Sequence, residues 1–350
     1  MKKPLAIVTG VPGWLGSNLV DKLLNEHAET ATEAPRQIRA LTLPGSDTGE
    51  FAAHSDRLAF VTGNLITGEG LDTLLADAGG ATVFHIAGII HPQKSRQEFY
   101  DLNFSGTKRV MDAAIKAGAK RFVHVSSNSP LGCNKSAAAA DYFDETSPYN
   151  PYMHYGASKK MGEDLVNDAF KKGSIETVII RPPWFYGPRQ PARQTLFFTM
   201  IKNGKMPIVG TGENMRSMAY VDNICQGLML AESIDRAAGK TYWIADERPY
   251  TMNEIVDTVE RVLENDFKIA CAHKRMHLPD IASEVALAVD ATLQGLGLYH
   301  QKFHVLSEMN KNIACKIDQA RVDLGYNPEI ALEEGMRRSI RWILDHGQTI

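Results

Sequence analysis

Cysteine is scarce and scattered in this chain. Its 350 residues include four cysteines, Cys133, Cys225, Cys271 and Cys315, and no CxxC pair. Neither a disulfide framework nor a zinc site follows from that spacing, so reduced thiols and no metal are the expectation. An excess of charge of one sign is also missing. Lys and Arg number 38 against 41 Asp and Glu, leaving −3, which provides no basic footprint for nucleic acid or an acidic membrane surface. No apolar run reaches the ~20 residues of a bilayer span. Lys2 and Lys3 precede an apolar stretch, Leu5 to Val8, that is too short for a secretory h-region. A cytoplasmic protein with no nucleic-acid and no membrane partner is expected. Repeats and low-complexity linkers are absent, and Thr30–Pro35 and Ala137–Ala140 read as surface loops.

What is present is an alternation. Leu5–Thr9, Gln37–Leu41, Leu58–Val61, Thr82–Ile86, Arg121–Ser126 and Glu176–Ile180 are short runs rich in Val, Ile and Phe. Several are apolar on both alternating faces, the mark of strands buried on both sides. Helical patterns such as Gly106–Ala117 and His154–Lys172 lie between them. Strand–helix alternation predicts parallel strands with crossover helices, hence an α/β, Rossmann-type doubly wound sheet. After Arg181-Pro182-Pro183 the pattern loosens, and helices dominate from Asn253. A smaller mixed C-terminal substrate lobe is expected over residues 183–350, beside a dinucleotide-binding domain over 1–182, with 219–247 returning to the sheet.

The first strand runs into Gly10-Val-Pro12-Gly13-Trp14-Leu15-Gly16, which opens a helix. Glycines permit a tight turn and close approach of backbone to phosphate, and the free N–H groups of the helix start complement a pyrophosphate. An ordinary glycine-rich turn is the bland alternative, but a strand before and a helix after are the confirming context. Further on, Tyr155 and Lys159 are separated by one helical turn, so both face the same side. A free tyrosine, with pKa ~10, is a weak base at neutral pH. A nearby ammonium favours the phenolate, which fits the residue for proton exchange with a substrate oxygen.

The GxxGxxG spacing together with YxxxK resembles the extended short-chain dehydrogenase/reductase family, its NAD-dependent epimerase/dehydratase and 3β-hydroxysteroid dehydrogenase branches. The likeness spans most of the chain. It implies an NAD(P)-dependent enzyme in which Tyr155 is acid/base and Lys159 also bonds the nicotinamide ribose. It implies that Ser127, second of the serines ending Phe122–Ser127, orients the substrate oxygen. Ser126 is either a cofactor-side residue or a plain strand end. Asn103, in Leu102-Asn103-Phe-Ser-Gly106-Thr107, matches an asparagine that supports a proton relay or the active-site backbone. Ala87 and Gly88 match the stretch passing the nicotinamide side. Gly63-Asn64-Leu65 matches the segment beside adenine, with Asn64 in place of the usual acid, and Pro182 completes the cofactor set. The resemblance also implies a homodimer formed through the helices of Gly106–Ala117 and His154–Lys172.

The end of the second strand decides between the two nicotinamide cofactors. Thr42 occupies the place of the acid that binds both ribose hydroxyls in NAD enzymes. Arg39 resembles an arginine that contacts the 2′-phosphate in NADPH-dependent dihydroflavonol reductases, and reads equally well as a solvated strand residue. The expectation is NAD(P), leaning to NADP(H).

The substrate signals are mixed. Asn128-Ser129 replaces the acid pair of the family's dehydratases, which disfavours dehydration. Arg216 resembles the epimerase arginine that binds a sugar-nucleotide diphosphate, where its fork suits phosphate. Trp184 replaces the epimerase asparagine, and a large aromatic there favours an apolar or planar substrate. His91 either approaches the substrate or is a loop residue facing solvent. The leading reading is a dehydrogenase or reductase of a small-molecule secondary alcohol/ketone pair. A nucleotide-sugar epimerase with tightly bound NAD is the second reading, and a catalytically silent cofactor sensor the third.

Overall fold

The computed structural model describes residues 5–25, 35–93 and 95–350. Lys2, Lys3 and all but the last residue of the Thr30–Pro35 loop lie outside the described residues. Among the described residues, no helix is long and apolar enough to cross a membrane.

In the first half, strands β1 (Ala6–Thr9), β2 (Ile38–Thr42), β3 (Leu58–Thr62), β4 (Thr82–His85), β5 (Arg121–Val125) and β6 (Glu176–Arg181) alternate with helices. The helices are α1 (Trp14–Leu24), α2 (Leu71–Leu74), α3 (Gln97–Phe99), α4 (Thr107–Lys116) and α5 (Met153–Lys171). A wider π-helical turn over Tyr100–Gly106 joins α3 to α4. The second half contains the short strands β7 (Trp184–Tyr186), β8 (Pro207–Val209), β9 (Met215–Arg216) and β10 (Met218–Tyr220), then β11 (Lys240–Trp243), β12 (Tyr250–Thr251) and β13 (Met276–Leu278). Its helices are α6 (Ala192–Lys202), α7 (Val221–Ser233), α8 (Met252–Phe267), α9 (Ile281–Gly295), α10 (Gln301–Glu308), α11 (Asp318–Leu324) and α12 (Leu332–Asp345).

Seven strands form one parallel sheet in the order β11-β6-β5-β4-β1-β2-β3. The order reverses between β1 and β4, and the chain leaves both strands at the same sheet edge, which opens a crevice there. Alternation along β1 explains the layers. Ala6 and Val8 join the core under α1 and α7, whereas Ile7 faces the core under α2, α4 and α5. A separate apolar core, built by α6, α8 and α12 around Phe198, Ile255, Val259 and Ile340, belongs to the C-terminal lobe. β11 returns to the sheet beside β6.

One buried ion pair fixes α5 against that sheet. Arg181, at the end of β6, donates from Nε and Nη2 to Glu163 at 2.9 and 2.6 Å. The Tyr149 hydroxyl donates to Glu163 at 2.6 Å and accepts from Arg181 at 3.0 Å. The guanidinium also lies over the rings of Tyr149 and Trp243. Desolvating two ions is costly and is offset by close, well-oriented bonding; here the bidentate geometry and the tyrosine supply it, while Arg181 Nη1 is left without a hydrogen-bond partner. Glu163→Ala would leave the Arg181 cation buried without its partner. An expected loss of about 3–5 kcal/mol is checked by the denaturant midpoint, and a loss under ~1 kcal/mol would reject the account.

Candidate active site

The glycine loop is built by close approach. Gly10 has φ +91°, and a Cβ there would lie 2.9 Å from the Ala87 nitrogen on the neighbouring strand's exit. A Cβ on Gly13 would lie 2.7 Å from the Gly10 carbonyl oxygen, and one on Gly16 would collide with the same oxygen. These contacts hold the start of α1 tight against β1. Gly13 caps that helix with no side chain of its own, so the first-turn amides remain for an anionic ligand. Trp14 turns away from the turn itself. Its Nε1 donates to the Pro188 carbonyl at 2.7 Å and its ring lies 4.7 Å from that of Phe185, coupling the loop to the C-terminal lobe.

A buried polar chain ties this loop to the opposite wall. Thr9 Oγ1 lies 2.9 Å from His85 Nδ1, and His85 Nε2 lies 2.9 Å from Thr107 Oγ1. Thr107 donates in turn to the Asn103 carbonyl at 2.7 Å. Burial, with Lys159 nearby, pushes the His85 pKa down to about 3, so the ring is a neutral link. Asn103 is held inward by the π-helical turn. Its Oδ1 accepts from Ile89 N at 2.8 Å, and its Nδ2 donates to Ile89 O at 3.0 Å and to Ser158 Oγ at 3.1 Å. All of its polar atoms are therefore spent on fixing the Gly88–Ile89 backbone to α5.

Tyr155 and Lys159 share the inner face of α5, and both are buried. Burial, with a smaller contribution from Glu308, pushes the Tyr155 phenol up to about 12 against the opposing hydrogen bond of Ser127. Burial likewise pulls Lys159 down to about 8, opposed by Glu163. Lys159 Nζ donates to the Val125 carbonyl at 2.7 Å, which leaves two of its protons for other acceptors. Ser127 Oγ accepts weakly from Ser129 N at 3.3 Å. Ser126 Oγ is buried with no hydrogen-bond partner.

Except for Arg39, every site residue expected from the sequence lines one cleft of about 890 Å³. Arg39 is a correction. Its guanidinium donates to the carbonyls of Leu74 (3.2 Å) and Ala76, and it does not line the cleft. Strand alternation sends it to the face covered by α2, whose unsatisfied C-terminal carbonyls attract a cation. Thr42 and Leu43 line the cleft at this end. Asn64 Oδ1 accepts from Ile66 N at 2.8 Å, while Nδ2 has no partner among the described residues.

Trp184 meets Phe197 edge-on at 5.3 Å, and the Arg216 guanidinium lies 5.9 Å over its ring. Arg216 donates to the Glu308 and Lys311 carbonyls at 3.3 and 3.4 Å. His91 Nδ1 lies 2.6 Å from the Tyr299 hydroxyl. Burial, then Arg193 and His304, push its pKa down to about 4, so it is a neutral hydrogen-bonding group rather than a solvated loop cation.

Sequence reasoning did not single out Arg193, His304 or Glu308, although all three line the cleft. They come from α6 and α10, and no local motif marks them. The apolar stretch around Ile281–Leu298, which forms most of the α9 hairpin arm, was the one available pointer.

The residues fit a dinucleotide. The glycine cradle would be filled by any Cβ, the first-turn amides are free of side-chain caps, and Ser126 Oγ is an orphaned polar atom facing the same cleft. Comparison with known proteins agrees with this geometry. The sequence profile of the NAD dependent epimerase/dehydratase family matches residues 6–245. The uncharacterized protein y4nL of Sinorhizobium fredii is 47% identical over 352 residues, covering 100% of this chain and 98% of its own length. The 3beta-hydroxysteroid-dehydrogenase/decarboxylase isoform 1 of Arabidopsis thaliana is 28% identical, over 95% of this chain and 78% of that protein. Among solved structures, a dTDP-glucose 4,6-dehydratase from Bacillus anthracis in complex with NAD superposes with a TM-score of 0.76 at 18% identity, covering 98% of this chain and 97% of that one. At that identity the likeness bears on the fold.

Proposed function

The chain belongs to the NAD dependent epimerase/dehydratase family, and within it we propose a dehydrogenase or reductase that acts on a secondary alcohol/ketone pair. The observation that carries this reading is the meeting of Tyr155, Ser127 and Lys159 in the cleft that the glycine loop also lines. The buried phenol, held at about 12, keeps its proton at neutral pH and is poised to give it to a ketone oxygen. Ser127, whose hydroxyl acts to lower the Tyr155 pKa, shares that oxygen and orients it. Lys159, anchored on the Val125 carbonyl, keeps two protons that would bond the cofactor ribose, and its charge would stabilise the phenolate as it forms. A bound nicotinamide would supply the hydride that this proton accompanies.

Arg216 is the feature that favours the epimerase reading. Its guanidinium, however, stacks on Trp184 and bonds the Glu308 and Lys311 carbonyls, and the Glu308 charge acts on it. A nearby carboxylate opposes a diphosphate. These surroundings support a less highly charged substrate and keep the reductase reading first.

On the cofactor, no acid and no arginine from β2 lines the adenosine end, since Thr42 and Leu43 do so and Arg39 is turned away. The lean to NADP(H) thereby loses its best residue. We expect NADH and NADPH to bind within about tenfold of each other, a difference worth ~1.4 kcal/mol, as read by titration of their fluorescence. A preference of a hundredfold either way would overturn this.

Tyr155→Phe should lower kcat with a ketone substrate by about 10²–10⁴, with cofactor affinity nearly unchanged. Full activity in that variant would sink the mechanism. The pH profile provides a separate check. Lys159 has a depressed pKa, so its charge is present below about 8 and lost as pH rises through that value. The reduction rate should hold from pH 6 to 7 and fall through about 8, and a rate rising over that interval is the contrary result.

A further inference from the structure

A second polar constellation faces the cleft from the α9–α10 hairpin. Asp290 of α9 is fully buried. Its Oδ2 lies 2.8 Å from His304 Nδ1 and accepts from Gln294 Nε2 at 2.9 Å, while Oδ1 has no partner. His304 of α10 is itself only 4% exposed, yet it lines the cleft, and its Nε2 has no partner among the described residues. The rings of Tyr152 and Tyr299 pack beside the imidazole at 5.8 and 5.6 Å. A carboxylate on Nδ1 fixes both the tautomer and the orientation of a histidine, and aims Nε2 at whatever lies beyond.

Packing alone does not account for this arrangement. An apolar pair would clip the two helices together without burying a carboxylate that keeps one oxygen unbonded. Burial works against a charge on His304, but the bond to Asp290, with the Glu308 and Asp290 charges, outweighs it and raises the pKa above the ordinary value. Arg193, reaching the same cleft from α6, lies close enough to His91 that it and His304 both disfavour a proton there. Arg193 and His304 thus both lie within electrostatic reach of the neutral His91–Tyr299 pair. Glu308, one helical turn beyond His304 on α10, is the one carboxylate lining the cleft among the described residues, and its charge acts on both His304 and Arg216.

We propose that His304, oriented by Asp290 and assisted by Arg193, anchors a carboxylate carried by the substrate, remote from the carbon that Tyr155 serves. The inference rests on the reductase reading for the position of the reacting carbon. The anchored carboxylate supplies the acceptor that Nε2–H lacks, and it sets which ketones are held in register with Tyr155.

The test uses the full chain saturated with NADPH and a matched pair of probes, 3-oxocyclohexane-1-carboxylate and its methyl ester, with binding read by calorimetry. The acid should bind about tenfold more tightly than the ester, the scale of one charge-assisted hydrogen bond. His304→Gln and Arg193→Met should each bring the ratio toward one, and Asp290→Asn should reduce it while keeping an imidazole in place. NADPH affinity reports that the cleft is intact. Equal binding of acid and ester by the unaltered protein overturns the proposal. So does an acid preference that persists in His304→Gln, which would make the dyad a structural clip only. Should the dyad variants fail to fold, Arg193→Met, on an exposed residue, decides the question by itself. Because binding is read rather than turnover, an active Tyr155→Phe would reject the reductase reading and leave this result standing.

Discussion

Everything in the molecule hangs on the reversal of strand order between β1 and β4. Parallel strands all end at one sheet edge, and where the crossovers diverge to opposite faces no helix covers that edge. The gap must be lined by backbone, which explains why Gly10 approaches Ala87 too closely for a side chain. The Thr9–His85–Thr107 chain spans the gap beneath the surface and joins the two walls with neutral groups. A charged link there would carry the desolvation cost of an unpaired ion.

The same burial that stabilises the core sets the chemistry of the site. Tyr155 and Lys159 are displaced in opposite directions, the phenol upward and the ammonium downward, because both charged forms lose water. The two groups therefore stand further apart in proton affinity than they do in water, and the phenol holds its proton the more firmly. Holding the pair in place requires a fixed helix, and the Arg181–Glu163–Tyr149 cluster fixes α5 one helical turn beyond Lys159. The C-terminal lobe closes the other side, with Trp14 and Pro188 joining it to the glycine loop and α10 bringing His304 and Glu308 over the cleft.

How much of this was legible from residue order varies with the range of the interaction. The six early strands follow from apolar alternation over four to six residues, and they appear within a residue or two of the expected limits. The spacing of Tyr155 and Lys159 put both on one helix face, because helical geometry is local. The glycine loop was readable for the same reason. Arg39 was not, since its destination depends on α2, a helix more than thirty residues away. Asn103 was identifiable by its segment, but which groups it would bond depended on Ile89 and Ser158 arriving from two other elements. Asp290 and His304 are separated by a hairpin turn, and neither carries a local signal.

Sequence alone determined the fold class, the glycine turn after β1 and the helix that presents the tyrosine–lysine pair, since periodicity and spacing act over one or two turns of chain. Tertiary structure decided where each side chain spends its hydrogen bonds, which cations reach the cleft and how far burial moves their proton affinities. Those quantities depend on neighbours up to two hundred residues distant, and on the water that packing excludes.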